Sequence, residues 1–216
     1  MLPPTTPREV LYIETGLLDI ETIILRNRVT MQERLKRNTN QLLERVSNEE
    51  IKNGWSEENN LIKQKLNINE QDTNGTITQI KHKINTKARI YFKNKIEREG
   101  DTKSKVKYLI EGVRAWEPVQ RPQYMYTFTR QESSILFKAR TRMLDVKNNY
   151  RGKYSTNICR LCNMAEETQE HILEQCKTIH KDITTTVKKH ELFSKIIEEL
   201  KQTVKKITRI MTILNN

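Results

Sequence analysis

Residues 159–176 read CRLCNMAEETQEHILEQC, and this stretch contains all three cysteines of the 216-residue chain. Its cysteines and its one histidine follow the spacing C-x2-C-x8-H-x4-C, and they are Cys159, Cys162, His171 and Cys176. Zinc in proteins prefers thiolate and imidazole ligands in a closed tetrahedron, and three cysteines with one histidine are a standard structural set. The spacing therefore predicts a small CCHC knuckle that holds one structural Zn²⁺ per chain.

Other interpretations of this stretch stay open. Three reduced cysteines that are buried near one another would give the same spacing without a metal. His180 lies four residues beyond Cys176 and could replace His171 as the fourth ligand. A catalytic zinc is not favoured because four protein ligands leave no position for water. A disulfide framework is not favoured because the number of cysteines is odd.

The two ligand pairs are expected in different local structures. A tight turn directs Cys159 and Cys162 at one ion, and a short helix over roughly 167–176 carries the other two ligands. Three thiolates around Zn²⁺ give the site a net negative charge, which Arg160 and Lys177 are placed to offset.

Positive charge is concentrated on both sides of the knuckle. The net charge is +12, yet residues 1–80 carry more acidic than basic side chains. Residues 81–115 hold 11 lysines and arginines against 4 acidic residues, and residues 130–160 hold 8 against 2. Such segments are typical of a phosphate-binding surface, although lysine-rich helices also serve solubility alone. We expect contacts to RNA, DNA or both from Lys87, Arg89, Lys93, Lys138, Arg140, Arg142, Lys147, Arg151, Lys153 and Arg160.

Apolar periodicity predicts a mainly α fold, an irregular helical scaffold around the knuckle. A first helix should end at Gly16 in a left-handed cap. A second helix follows, and its expected inward stripe is Leu17, Ile20, Ile24, Met31 and Leu35. A long basic helix then spans 76–98 and ends at Gly100.

The middle of the chain changes character. Residues 116–129 are rich in proline and aromatic residues and predict a linker, with one short strand at 124–128. The aromatic side chains of that strand either stack on unpaired bases or pack in an ordinary core; they are Tyr124, Tyr126 and Phe128. A helix at 130–144 follows, and its outward side chains are Lys138, Arg140 and Arg142.

The last predicted helix, 193–214, has a seven-residue period. Its apolar residues are spaced alternately by four and three, which is close to the minimum for a coiled coil with a second copy or another partner. Ile196 and Ile210 broaden the stripe, which favours a helix that packs on its own domain. The expected regions are a helical part (1–115), a linker (116–129), a basic helix with the knuckle (130–180) and a C-terminal amphipathic helix (181–216).

Several classes of protein find no support in the sequence. No apolar run approaches the ~20 residues of a membrane span, and the start MLPPTTPREV does not resemble a signal peptide. An intracellular, nuclear protein without a membrane partner is therefore expected. The five aspartates are never adjacent, and no Gly-rich phosphate loop is present, so an enzyme is not expected. The alternative to nucleic-acid binding is a zinc-stapled helical module for protein interactions.

The knuckle resembles the one near the C-terminus of non-LTR retrotransposon reverse transcriptases. The preceding ILFKARTRMLDVKNNYRGKY, residues 135–154, is similar to the basic helix and loop before that knuckle. The opening PPTTPREVLYIETGLLDIETIILRNRVTMQERL, residues 3–35, looks like the helical region after the polymerase thumb.

This resemblance implies a segment that helps to hold template RNA and target DNA. The residues that carry over are the four knuckle ligands and, more loosely, Arg140 and Arg142. The resemblance also implies that the chain is a piece of a larger polyprotein, or a truncated or repurposed copy of one. The rest of the polyprotein would then be a further partner. The chain lacks the paired aspartates of a polymerase. The 40 residues after Cys176 are too few for an endonuclease, so neither activity is expected.

Overall fold

The computed structural model describes residues 7–38, 40–42, 45, 49, 54–113, 121–150, 152–181 and 186–216. Most of these residues are helical. Within the described ranges there is no β-strand, only one isolated antiparallel bridge between Ile158 and Glu166. The predicted mainly α fold is confirmed. None of the described helices combines the length and the apolar character that crossing a membrane requires.

Nine α-helices lie within the described residues. They are α1 (Arg8–Thr15), α2 (Ile20–Leu35), α3 (Trp55–Lys65), α4 (Ile77–Thr102), α5 (Ser104–Gly112), α6 (Tyr124–Thr127), α7 (Arg130–Arg140), α8 (Lys189–Leu192) and α9 (Ile197–Asn215). Two 3₁₀ turns lie at Glu70–Thr73 and Lys147–Asn149, and a π-helical turn lies at His171–Gln175.

The chain divides into two compact units. One, the knuckle unit, contains Met1–Gly16, Glu99–Trp116 and Gln120–Asn216; the other, the central unit, contains Leu17–Arg98 and Glu117–Val119. This division differs from the expected region 1–115. The reason lies in Glu14, whose buried carboxylate accepts hydrogen bonds from Tyr124 and Arg140 and so ties α1 to the later part of the chain.

The sequence predicts that two helices end at glycines, Gly16 and Gly100. Gly16 ends α1 with φ of 66°, as predicted. The end predicted at Gly100 is wrong, because α4 continues to Thr102. A Cβ at Gly100 would lie 3.1 Å from Cδ1 of Ile110, so glycine serves close packing here rather than a cap.

The strand predicted at 124–128 is wrong. Residues 116–120 of the expected linker lie outside the described residues, and Tyr124–Thr127 forms the single helical turn α6. Tyr124 and Phe128 are four residues apart, which is the spacing of neighbours on a helix, and their ring centroids are 6.1 Å apart. Tyr124 is buried whereas Tyr126 is 69% exposed, so the alternation of aromatic residues does not mark a strand.

The inward stripe predicted for α2 is also wrong, since Leu17, Ile20, Ile24 and Met31 are at least half exposed. The opposite face is buried and includes Val29 together with polar side chains. One of these, Glu33, accepts a hydrogen bond from Lys63 Nζ at 2.6 Å. Ion pairs of this kind allow a polar face to be buried, which apolar periodicity does not register.

The helix α9 packs its apolar seam into the core of the knuckle unit. Its buried residues are Leu200, Thr203, Val204, Ile207, Ile210 and Leu214. It begins at Ile197 rather than at Phe193, because Phe193 lies just after α8 and packs on Arg140. Packing on its own domain is therefore confirmed, and this packing covers the seam that a coiled-coil partner would use.

Candidate metal centre

The side chains of Cys159, Cys162, His171 and Cys176 converge, and their ligand atoms all lie within 4.8 Å of one another. The Sγ atoms of Cys159 and Cys176 are 3.9 Å apart. Cys162 Sγ is 3.3 Å from His171 Nε2. Zn–S and Zn–N bonds of ~2.3 and ~2.0 Å give tetrahedral edges of about 3.8 and about 3.5 Å. The four residues thus fit a tetrahedral metal ion after a small closure of the widest pair.

A short hairpin positions the first ligand pair. The N–H of Cys159 donates to the carbonyl of Ala165 at 2.8 Å, and the N–H of Asn163 donates to the carbonyl of Cys159 at 3.0 Å. Asn163 has φ of 54°, in the left-handed region that asparagine adopts more readily than most residues. Hydrogen bonds from the N–H groups of Met164 and Ala165 lower the pKa of Cys162. The turn therefore stabilises the thiolate form that binds metal.

A π-helical turn positions the second pair. The N–H of Cys176 donates to the carbonyl of His171, five residues earlier, at 2.8 Å. Residues five apart in an α-helix point about 140° away from each other, whereas this wider turn brings both side chains to one point. Turns of this type recur at functional sites. The helix predicted over 167–176 is therefore shorter and wider than expected.

Burial governs the charge of Cys176 and His171. Desolvation raises the pKa of Cys176 to about 11, against the opposing effect of N–H groups that hydrogen-bond its sulfur. Desolvation also lowers the pKa of His171, which favours the neutral imidazole that metals require. Binding of a divalent ion must therefore displace a proton from Cys176.

The alternative ligand His180 does not join the cluster. Its Nε2 atom lies 2.9 Å from the carbonyl oxygen of Ile172. His171, as the spacing first indicated, occupies the fourth position.

Glu167 anchors the hairpin to the preceding segment, and sequence reasoning missed it. Its buried carboxylate accepts hydrogen bonds from the backbone N–H groups of Lys147 and Arg160 at 2.9 and 3.0 Å. Two more come from the Arg160 guanidinium, at 2.9 and 2.6 Å. Burial by itself raises the pKa of Glu167, but these hydrogen bonds outweigh it and the pKa is lowered. One glutamate among four in the stretch carries no sequence signal of burial.

The prediction that Arg140 projects outward is wrong. The residue is only 5% exposed, and its Nε donates to Glu14 at 2.9 Å. Its guanidinium lies 5.3 Å from the ring centroid of Tyr124 and 4.6 Å from that of Phe193. Arg140 follows Leu136 by four residues and so shares the buried face of α7. This arginine therefore holds the knuckle unit together instead of facing a ligand.

Arg142 and Arg160 are also engaged by carboxylates of the chain. Arg142 lies beyond the end of α7 with φ of 56°, and its Nη2 is 2.6 Å from Glu170 Oε1. Arg160 is bound to Glu167, so it does not serve mainly to offset the charge of the thiolates.

Of the other predicted contacts, Lys87, Arg89 and Lys93 belong to the central unit and Lys138 to the knuckle unit. Lys87 is 3.5 Å from Asp72, Arg89 is exposed, and Lys93 and Lys138 are half-buried. Arg151 lies outside the described residues.

Two lysines and two tyrosines just before the hairpin form what we call the basic–aromatic surface: Lys147, Tyr150, Lys153 and Tyr154. The Nζ of Lys153 lies 5.1 and 5.5 Å from the ring centroids of Tyr150 and Tyr154, and Lys153 itself is exposed. Lys147 Nζ donates to the carbonyl of Ile158 at 2.8 Å. The surface is thereby joined to the hairpin that carries Cys159 and Cys162.

Comparison with known proteins adds no relative. No protein-family model, no curated protein and no solved structure matches the chain. The resemblance to the retrotransposon knuckle therefore rests on the residues themselves.

Proposed function

We propose that the chain is a nucleic-acid-binding module whose knuckle unit is ordered by one structural zinc ion. The observation that carries the proposal is the convergence of three thiols and one imidazole within 4.8 Å. Four protein ligands leave no position for a water molecule on zinc, so the ion stabilises the fold and performs no chemistry.

Zinc in this position would join the hairpin that carries Cys159 and Cys162 to the π-helical turn that carries His171 and leads to Cys176. Cys159 and Cys176 are buried in the core of the knuckle unit beside Ile172 and Leu173. Because such a site exists only in the folded chain, the free energy of zinc binding contributes to the free energy of folding.

The basic–aromatic surface supports nucleic acid as the ligand. Lysine ammonium groups contact phosphates, and tyrosine rings stack on unpaired bases. Glu167 accepts a hydrogen bond from the N–H of Lys147 and also holds Arg160, so the ordering of the hairpin extends to this surface. The proposal includes an origin in a non-LTR retrotransposon reverse transcriptase and a nuclear location, both supported by the resemblance. A coiled coil through 193–214 is not favoured, because the seam is buried.

Zinc content tests the structural part of the proposal. Elemental analysis of the purified chain should find one zinc per molecule, and Cys176→Ser should lose it. The matched control is His180→Gln, which removes the neighbouring histidine outside the cluster and should retain the metal. Wild-type protein without zinc, or a His180→Gln variant that loses it, would contradict the proposal.

Fluorescence anisotropy with single-stranded RNA and DNA tests the binding part. The logarithm of affinity should fall linearly with the logarithm of salt concentration, because phosphate contacts release counterions. Lys153→Gln should reduce the slope by about one. Lys205→Gln, an exposed lysine on α9, should leave it unchanged. Absence of binding at low salt would refute nucleic acid as the ligand.

A further inference from the structure

A cleft of about 430 Å³ opens in the knuckle unit, which is within the size range of small-ligand sites. Its walls come from the start of α5, the loop after α7 and the residues just before the π-helical turn. The charged side chains that line it are Lys103, Lys105, Arg142 and Glu170. Nothing in the proposed metal or nucleic-acid sites uses this cleft.

Lys105 is the unusual member of the lining. Its Nζ atom is shielded from solvent and has no hydrogen-bond partner among the described residues. Desolvation lowers the pKa of Lys105, and the positive charge of Arg142 lowers it further. An unpaired buried ammonium is unfavourable in a folded protein, and an anion placed beside Lys105 would relieve that cost.

The other charges of the lining do not neutralise Lys105. Glu170 is the acidic residue of the lining, and its Oε1 lies 2.6 Å from Arg142 Nη2, although this buried oxygen accepts no well-aligned hydrogen bond among the described residues. Lys103 is held by Glu9 and Glu99, at 3.2 and 2.6 Å. Lys105 is therefore the basic side chain of the lining that makes no ion pair among the described residues.

The start of α5 adds to the positive potential. This helix has nine residues, and no side chain caps its N-terminus. Ser104 and Lys105, in its first turn, both line the cleft. Uncapped N–H groups and the helix dipole favour an anion at this end.

We propose that this cleft binds a phosphate group through Lys105, Arg142 and the first turn of α5. Lys105, which makes no ion pair among the described residues, and the helix N-terminus supply positive potential, and the guanidinium of Arg142 offers further donors besides the Nη2 atom that lies beside Glu170. The amide of Asn148 lines the same cleft and offers a further donor. Binding of phosphate follows from the cleft alone, whereas its assignment to the backbone of a nucleic-acid strand rests on the proposed function.

Calorimetric titration of the full, zinc-loaded chain with inorganic phosphate at constant ionic strength tests the inference. Saturable binding of one phosphate is expected, and Lys105→Gln should weaken it about tenfold or more, because a charge-assisted hydrogen bond is lost. The matched control is Lys107→Gln, an exposed lysine of the same helix outside the cleft, which should bind normally. Absence of saturable binding, or equal losses in the two variants, would overturn the inference.

A second measurement separates loss of the site from misfolding. In phosphate-free buffer Lys105→Met should melt at a higher temperature than wild type, because it removes an unpaired buried cation. Added phosphate should then raise the melting temperature of wild type and leave that of the variant unchanged. A variant that melts below wild type in phosphate-free buffer would show that the ammonium is already satisfied.

The source of the phosphate is decided by competition with a single-stranded oligonucleotide. Displacement of phosphate by the oligonucleotide, with both ligands weakened in Lys105→Gln, assigns the cleft to a strand. Oligonucleotide binding that is independent of Lys105 assigns it to free phosphate and leaves the proposed function standing. Phosphate binding without any oligonucleotide binding supports the cleft and refutes the proposed function.

Discussion

Substitution of Arg160 separates a structural role from a nucleic-acid contact. The basic segment 130–160 predicted a contact of Arg160 with phosphate, whereas the structure shows the guanidinium bound to the buried carboxylate of Glu167 at 2.9 and 2.6 Å. Arg160→Gln removes this ion pair and leaves the carboxylate with two backbone N–H donors, those of Lys147 and residue 160.

The size of the effect follows from these bonds. Removing one partner of a fully buried ion pair costs about 3 to 5 kcal/mol. The Arg160 side chain is 29% exposed, and backbone donors continue to serve the carboxylate, so we expect about 2 to 3 kcal/mol. For a chain of this length that corresponds to a fall in melting temperature of roughly 5 to 10 °C.

Urea unfolding of the zinc-loaded protein measures this loss, and hydrogen exchange locates it at the amides of Lys147 and Arg160. Lys177→Gln is the matched control, because Lys177 is an exposed cation beside another ligand. It should change stability by less than about 0.5 kcal/mol. If Arg160→Gln also stays within that limit while nucleic-acid affinity falls, the structural assignment of Arg160 is wrong.

Three further predictions concern packing and pH. Leu200→Lys should unfold the knuckle unit at any protein concentration, since the side chain is buried in its own core; a dimer that dissociates into folded monomers on this change, seen by light scattering, would contradict this. Gly112→Ala should lose about 1 to 3 kcal/mol in urea unfolding, because the added methyl would overlap the ring of Phe193; an unchanged midpoint would refute that contact. Burial alone raises the pKa of Asp19, but the ion pair with Lys95 and the hydrogen bonds from Thr22 together outweigh it, and the pKa falls below 3.8. The stability that this pair adds is therefore present above that value and lost as pH falls through the lowered pKa. Wild type should have a higher urea midpoint than Asp19→Asn at neutral pH, and this difference should vanish in strong acid. A difference that persists in strong acid would show that the pKa of Asp19 is not lowered as described.

The part of the molecule that the sequence predicts is the part in which local spacing determines geometry. The knuckle ligands are an example, because two residues between Cys159 and Cys162 suffice to form the turn. The left-handed end of α1 at Gly16 is another, since only local backbone sterics decide it. Long-range packing played no role in either prediction.

The predictions that failed concerned which face of a helix packs against the rest of the chain. Arg140 and the exposed stripe that begins at Ile20 were both assigned from polarity alone. The Arg140 side chain is buried because Glu14, far away in sequence, supplies a compensating carboxylate. Such a pairing is invisible to a periodicity argument, because each partner alone resembles a solvated charge.

The candidate metal centre and the proposed phosphate cleft share one short segment of the chain. Thr168 and Glu170 line the cleft, and His171, the next residue, is a candidate zinc ligand. The hydroxyl of Thr168 accepts a hydrogen bond from the N–H of His171 at 3.1 Å, which joins the wall of the cleft to the candidate ligand. An ion that orders His171 also reduces the conformational freedom that phosphate binding would otherwise have to remove. Thermodynamic linkage requires that any gain in phosphate affinity caused by the metal be matched by an equal gain in metal affinity caused by phosphate. On this view a metal ion bound by the knuckle would order one wall of the anion site as well as the surrounding helices.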